Sequence, residues 1–239
     1  MSKLYRICDM IIECDFRYPT MQRRSEKFLL DENEAKNAEP DFSVIVSEEV
    51  LEKFNKKFDY LPADSCEIIL TSGTFYRQLI TRGGFMLHSS AVVKDGRAYL
   101  FSAPSGTGKS THTSQWLKLF DDAYILNDDK PAILPKEKIY AAGTPWSGKS
   151  DLNTNDVVPL QAICVIRRGE ENTIERIGNG EAIPLILEQT IRPNIVEDYD
   201  ELLGNLEKVL KDVPVYMLHC NISTDAAKLA YERMKENED

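Results

Sequence analysis

The sequence predicts an α/β protein, a mixed sheet with flanking helices in which a β-hairpin leads straight into a phosphate-binding loop. Three observations predict it. Strand-like and helix-like segments alternate over the last two-thirds of the chain. "MLHSSAVVKDGRAYLFSA" holds two apolar runs joined by Asp95–Gly96, a pair that tolerates the positive φ of a tight hairpin turn. "SGTGKST", Ser105 to Thr111, follows at once at a strand–helix junction.

Taken in order, "KLYRICDMIIECDF" is β-rich and partly alternating and reads as a strand. "RRSEKFLLDENEAKNAEPDFSVIVS" reads as one or two short strands around a polar loop. Val50, Leu51, Phe54 and Phe58 share one helical face. "EIILTSGTFYRQLITR" begins as strand or helix and ends as a helix stopped by Gly83–Gly84. "STHTSQWLKLF" is the helix after the loop, and "AYILNDDKPAIL" sets a short strand directly before Asp128 and Asp129. "LQAICVIRRG" and "NTIERI" are strands around a turn at Gly169, and two helices follow with a break at Arg192–Pro193. "VPVYMLHCNI" reads as a buried strand, and "TDAAKLAYERMKE" as a helix capped by Thr224 or Ser223. Residues 1–82 are then an N-terminal α+β region packed on the core, and residues 83–239 the core itself.

Composition narrows the function. Of 239 residues, 42% are apolar and 28% charged, as in ordinary globular proteins, and no apolar run is long enough to span a bilayer. The N-terminus has no signal-peptide order. Five scattered cysteines without a CxxC pair point to a reducing, cytoplasmic setting and no structural zinc. A net charge of −10 without a basic cluster excludes a nucleic-acid binder. The arginine pairs Arg23–Arg24 and Arg167–Arg168 are too short to count and read as solvated turns. An acidic chain that holds a polyanionic nucleotide does so by local geometry and a metal ion.

The loop supplies that geometry. A phosphate cradle needs successive N–H groups turned into one concavity, hence residues free to take unusual backbone angles. Gly106 and Gly108 provide them, with Ser105 and Thr107 small enough to leave room. Lys109 reaches the β- and γ-phosphates, Ser110 is placed to ligate Mg²⁺, and Thr111 completes the run. Ala103 stands where the G-x-x-x-x-G-K-[ST] pattern has its first glycine, which an extended backbone tolerates.

Asp128 and Asp129 come 19 residues after Lys109, room for one helix and one return strand beside the loop. One carboxylate can hold the metal, and the other can accept a proton from a hydroxyl nucleophile. His88 lies on the first hairpin strand, where a lone histidine is more often packed than catalytic. His112 reads as partly exposed, and His219 as buried and structural.

The order His88, hairpin, "SGTGKST", "NDD" resembles the HPr serine kinase/phosphorylase family and its small stand-alone relatives, whose loop subclass is shared with phosphoenolpyruvate carboxykinases. The resemblance covers roughly Gly83 to Lys235. It implies the phosphoenolpyruvate carboxykinase/HPr kinase-like P-loop fold, an acidic pair acting as catalytic base and metal holder, and a place for His88 at the active-site edge. The sequence departs from the family at Ala103 and after the acidic pair, where it has "AAGTPWSGKSDLN". HPr itself is therefore not the expected substrate. In that segment Trp146 is either a packing anchor or part of a binding surface, and Lys149 is a candidate for steadying charge on the γ-phosphate. Arg192 is a weaker phosphate or substrate contact.

The expected function is a Mg²⁺-dependent kinase that moves the γ-phosphoryl group of ATP to a hydroxyl, a serine of a peptide or small protein. Asp128 is the proton acceptor, Lys109, His88 and Lys149 assist, and Ser110 with Asp129 hold the metal. Two alternatives stand beside it: a nucleotide-binding regulatory protein without catalysis, and a phosphoenolpyruvate carboxykinase-like phosphotransferase. The partners expected are ATP and the acceptor, with no nucleic acid and no membrane, and a homo-oligomer is left open.

Overall fold

The computed structural model describes residues 2–191 and 196–236. The N-terminal part runs β1 (Lys3–Ile7), β2 (Met10–Cys14), α1 (Pro19–Ser25), α2 (Glu32–Ala35), β3 (Phe42–Val44), α3 (Glu48–Lys57) and α4 (Ala63–Ile80). Then come β4 (Phe85–Met86), β5 (Ser89–Lys94), β6 (Arg97–Ser102), α5 (Lys109–Leu119), β7 (Tyr124–Asn127), β8 (Ala132–Pro135) and β9 (Ile139–Ala142). The chain finishes with β10 (Val157–Arg168), β11 (Thr173–Ile177), α6 (Asn179–Leu187), α7 (Val196–Asp212), β12 (Val215–Cys220) and α8 (Thr224–Met234).

The architecture is mixed α/β, with a nine-stranded mixed sheet, a small three-stranded sheet β1-β2-β3, and flanking helices. Asp95 and Gly96 both take positive φ, 52° and 69°, so β5 and β6 close as a tight antiparallel hairpin with Lys94 opposite Arg97. β7 is antiparallel to β5 and so runs parallel to β6. The long β10 pairs with β9 through Val157–Pro159, then continues parallel to β6 and to β12. The C-terminal ends of β6, β7, β10 and β12, and the start of β5, therefore meet on one edge of the sheet. That edge is where ligands of open α/β sheets bind.

Residues of the central strands alternate between two apolar layers, the signature of a sheet covered on both faces. Ala98 and Leu100 of β6 face the larger layer, with Phe75 and Leu79 of α4 and Leu202 and Leu206 of α7. Tyr99 and Phe101 face the layer under α5 and α8, with Trp116, Ala226 and Ala230. Among the described residues no helix is long and apolar enough to cross a membrane.

Several local readings change. The segment read as one strand at the N-terminus is the hairpin β1–β2, turned at Cys8 and Asp9 with φ of 58° and 64°. Cys-Asp is a weak turn pair, so the apolar alternation on either side reads through it. The stretch from Arg23 to Ser47 has one short strand, β3, within the one or two expected. Its polar part holds α2, nucleated by a capping box between Asp31 and Glu34. The ambiguous start at Glu67 is helix. Glu67 is buried, and its carboxylate accepts the Arg17 and Tyr18 N–H groups just ahead of α1, at 2.6 and 3.1 Å.

Candidate active site

β6 delivers the chain into the loop at Ala103, whose methyl is buried in the layer under α5 and α8. Gly106 and Gly108 then take φ of 79° and 123°. A Cβ at either position would meet nothing within 4 Å, so it is the backbone angle, not space, that requires glycine. α5 begins at Lys109, and its first N–H groups and the positive end of its dipole face the loop. Lys109 is buried and donates to the Ala103 carbonyl at 2.8 Å. Burial pushes its ammonium pKa below the ordinary lysine value, and nearby Asp129 works the other way. From the end of β10, Arg168 donates to the Gly106 and Thr107 carbonyls at 2.6 and 3.1 Å and braces the loop.

The acidic pair is shaped by Asn127, which is fully buried. Its Oδ1 accepts the N–H groups of Asp129 and Lys130 at 2.8 and 2.7 Å, and its Nδ2 donates to the Thr144 carbonyl. The two carboxylates then meet different surroundings. Burial pushes Asp128 up, with the Asp129 charge adding to it, and the Gly148 N–H and Arg24 only partly offset them. Gly148 donates to Asp128 Oδ1, and a Cβ at Gly148 would lie 3.2 Å from that carboxyl, so glycine permits the approach. Burial also acts on Asp129, but His88 and Lys130 outweigh it and hold this carboxyl down at about 2. His88 Nε2 stands 3.3 Å from Asp129 Oδ1 and Lys130 Nζ 3.0 Å from Oδ2. His88 sits one residue before β5, fixed from behind by Gln189, which meets its Nδ1 at 3.1 Å and accepts its backbone N–H at 2.8 Å. Two neighbouring carboxyl groups whose environments push them apart can divide acid–base and charge-holding work between them.

One cleft of about 480 Å³ gathers Ser105, Gly106, Gly108, Lys109, Ser110 and Thr111 with Asp128, Asp129, His88 and Lys149, and adds Gly148 and Ser150. Thr107 instead lines a second cleft of about 460 Å³, with Ile166, Arg168, Cys220 and Ile222. Gly106, Gly108 and Thr111 border both. The loop is thus flanked by a polar, acid-lined space and a more apolar one. Arg192 lies outside the described residues.

Sequence reasoning missed the arginines. Arg24 is buried and bonded to Asp151 and the Gly148 carbonyl, so it is no solvated turn; Arg168 is exposed, as read, but it ends β10 and braces the loop. An isolated Arg-Arg pair carries no signal of this, because the partners lie more than 60 residues away. Asn127 was legible in principle, as an Asn before an acidic pair at a strand end. Trp146 is fully buried, stacked on Phe75 at 4.5 Å and donating to Thr71 Oγ1, so it anchors its loop and offers no open face. Truncating a side chain buried this way typically costs about 3–5 kcal/mol. His219 is exposed near the end of β12, unlike Met217 on the same face, which is buried.

His112 is buried, contrary to its reading as partly exposed; it accepts from Trp116 Nε1 at 3.2 Å and packs on Phe101. Burial lowers its pKa to about 4. The unfolded chain then binds a proton near 6.5 that the folded chain refuses, so stability is full above pH 6.5 and falls as pH drops toward 4. His112→Gln, which does not titrate, is expected to flatten the melting-temperature decline over pH 6.5–4; an unchanged decline would assign it to other groups.

The model of a family described as SynChlorMet cassette protein ScmC matches residues 63–227, from the first residue of α4 into α8. No curated protein matches the chain significantly.

Proposed function

The chain belongs to the ScmC family, and we propose that this member is a Mg²⁺-dependent kinase that transfers the γ-phosphoryl group of ATP to a hydroxyl, a serine of a peptide or small protein. The observation that carries the proposal is the meeting of an acidic pair of divergent acidity with a glycine loop and helix N-terminus in one cleft. In this reading the finer fold is the phosphoenolpyruvate carboxykinase/HPr kinase-like one, with residues 103–110 the phosphate loop, its N–H groups and Lys109 holding the β- and γ-phosphates. The second cleft takes the nucleoside end, since it borders the same loop and is more apolar.

Ser110 and Asp129 offer hard oxygen donors suited to Mg²⁺, which is commonly bound by one or two carboxylates plus substrate phosphates. Among the described residues no group of three or more His, Cys, Asp or Glu forms a protein-only metal cage. This donor set fits a metal that arrives with the nucleotide. When bound, the ion supplies positive charge that neutralises the phosphates. The Asp128 carboxylate, made more basic by burial, takes the proton from the acceptor hydroxyl as its oxygen bonds to the γ-phosphorus. The bond to the β–γ bridging oxygen breaks and ADP leaves. His88 and Lys130 keep Asp129 charged, and Lys149, exposed at the cleft, is set to steady the transferring group.

The test is Mg²⁺-dependent formation of ADP, first with water and then with serine-containing peptides as acceptors. Nucleotide binding without ADP formation under either condition would instead support the regulatory alternative. Restoring the pattern's glycine with Ala103→Gly is expected to change nucleotide affinity by less than about tenfold, because the cradle is built from Ser105 to Ser110. A much larger gain, read by calorimetry, would mark the loop as degenerate.

A further inference from the structure

The segment from Gly143 to Asp156 lines the acid-lined cleft through Gly148, Lys149 and Ser150, and the Gly148 N–H donates to Asp128 Oδ1. This segment is held from the N-terminal part of the chain. Arg24, at the end of α1, donates through Nη2 to the Gly148 carbonyl and through Nε to Asp151 Oδ1, the latter at 2.6 Å. Arg23 donates to the other oxygen of Asp151. Asp151 holds a left-handed φ of 54°, and its own N–H turns back to the Gly148 carbonyl at 3.2 Å. Lys27 Nζ donates to the Asn153 carbonyl, and Asn153 Nδ2 to the Arg24 carbonyl at 3.3 Å. The other end of α1 is pinned to α4 by Glu67, which accepts the Arg17 and Tyr18 N–H groups, and by Thr20 donating to Asp64 at 2.8 Å. The path from α4 through α1 to Gly148 has a hydrogen-bonded partner at every step.

We propose that α1 belongs to the framework of the active site and that Arg24 is a positioning residue, its guanidinium fork fixing Gly148 and Asp151 so that the Gly148 N–H holds the Asp128 carboxylate beside the phosphate loop. The inference rests on the kinase reading for its catalytic consequence and on the structure for the clamp. An arginine suits the place because one planar group must meet a carbonyl and a carboxylate at once, which the single ammonium of lysine does not reproduce. Arg24 bonds to Asp151 and the Gly148 carbonyl and does not line the cleft, so it is expected to act on the rate of the chemical step and leave the hold on nucleotide alone. A displacement of about 1 Å in such a group costs on the order of 10²-fold.

The experiment compares the full-length wild type with Arg24→Ala, Arg24→Lys and Asp151→Asn. Three quantities are read: amide hydrogen exchange of residues 146–153, calorimetric affinity for Mg·ATP, and ADP formation. Arg24→Ala is expected to speed exchange of 146–153 at least about tenfold and leave β10 and β12 unchanged, and to lower kcat about 10²-fold with Mg·ATP affinity within about threefold. Arg24→Lys should stay close to Arg24→Ala. Asp151→Asn, less buried than Arg24, should show the same pattern at smaller amplitude, and it decides the matter if Arg24→Ala does not fold. Unchanged exchange, a loss that appears in nucleotide affinity alone, or full rescue by lysine would overturn the positioning role. A wild type that neither binds Mg·ATP nor forms ADP would defeat the kinase reading, and the exchange measurement would still decide the clamp.

Discussion

Asp128→Asn is expected to lower phosphoryl transfer by roughly 10²–10⁴-fold while Mg·ATP still binds. The amide keeps nearly the same shape but cannot accept the hydroxyl proton. Gly106, Gly108, Lys109 and Ser110, which face the same cleft from the loop and from α5, remain in place to hold the nucleotide. The pH profile should carry the same information. Burial raises the Asp128 carboxyl above its ordinary value, so the rate should fall on the acid side at a higher pH than a solvent-exposed aspartate would give. Asp129→Asn should behave differently. It removes the carboxylate that His88 and Lys130 hold charged, and with it much of the Mg²⁺ dependence of nucleotide binding. Exchanged phenotypes would reverse the two assignments. Transfer unchanged in both variants, once an acceptor is in hand, would sink the mechanism and leave a nucleotide-binding module.

Lys109→Ala is expected to abolish most of the thermal stabilisation that Mg·ATP gives the wild type. A ligand that binds only the native state adds RT ln(1 + [L]/Kd), about 2.7 kcal/mol at a hundredfold excess over Kd. For a chain of this size that corresponds to roughly 5–10 °C in melting temperature. Without ligand, Lys109 is buried and bonded to the Ala103 carbonyl, and its ammonium is disfavoured by burial. Removing it should therefore alter the unliganded protein little compared with its effect on the liganded one. Equal shifts in wild type and variant would show that Lys109 does not meet the nucleotide, and no shift in the wild type with any purine nucleotide would refute the phosphate-loop reading.

The sequence by itself determined whatever is written in adjacent residues. Asp95–Gly96 fixed the hairpin because few other pairs take positive φ twice in succession, as the angles of 52° and 69° show. The glycines of the loop and the helix after it were legible for the same reason, and Asp128–Asp129 followed from the length of chain needed to return beside the loop. Local signals failed where a neighbour in space overrode them. The Cys8–Asp9 turn takes positive φ without a glycine, and its alternating flanks concealed it. His112 was misjudged because Phe101 of β6 and Trp116 close over it, contacts that a helical wheel alone does not show.

What only the tertiary structure decided are the differences between chemically identical residues. Nothing in "DD" says which carboxylate is raised and which is lowered. The answer comes from burial and the neighbouring Asp129 charge at Asp128, and from His88 and Lys130 at Asp129. Nothing in "RR" separates a solvated pair from one that reaches 127 positions along the chain to Asp151. The physical reason is common to both cases. Charge and hydrogen bonding act over a few ångströms in a partly dry interior, where their strength depends on which groups the fold brings together and on how much water it removes.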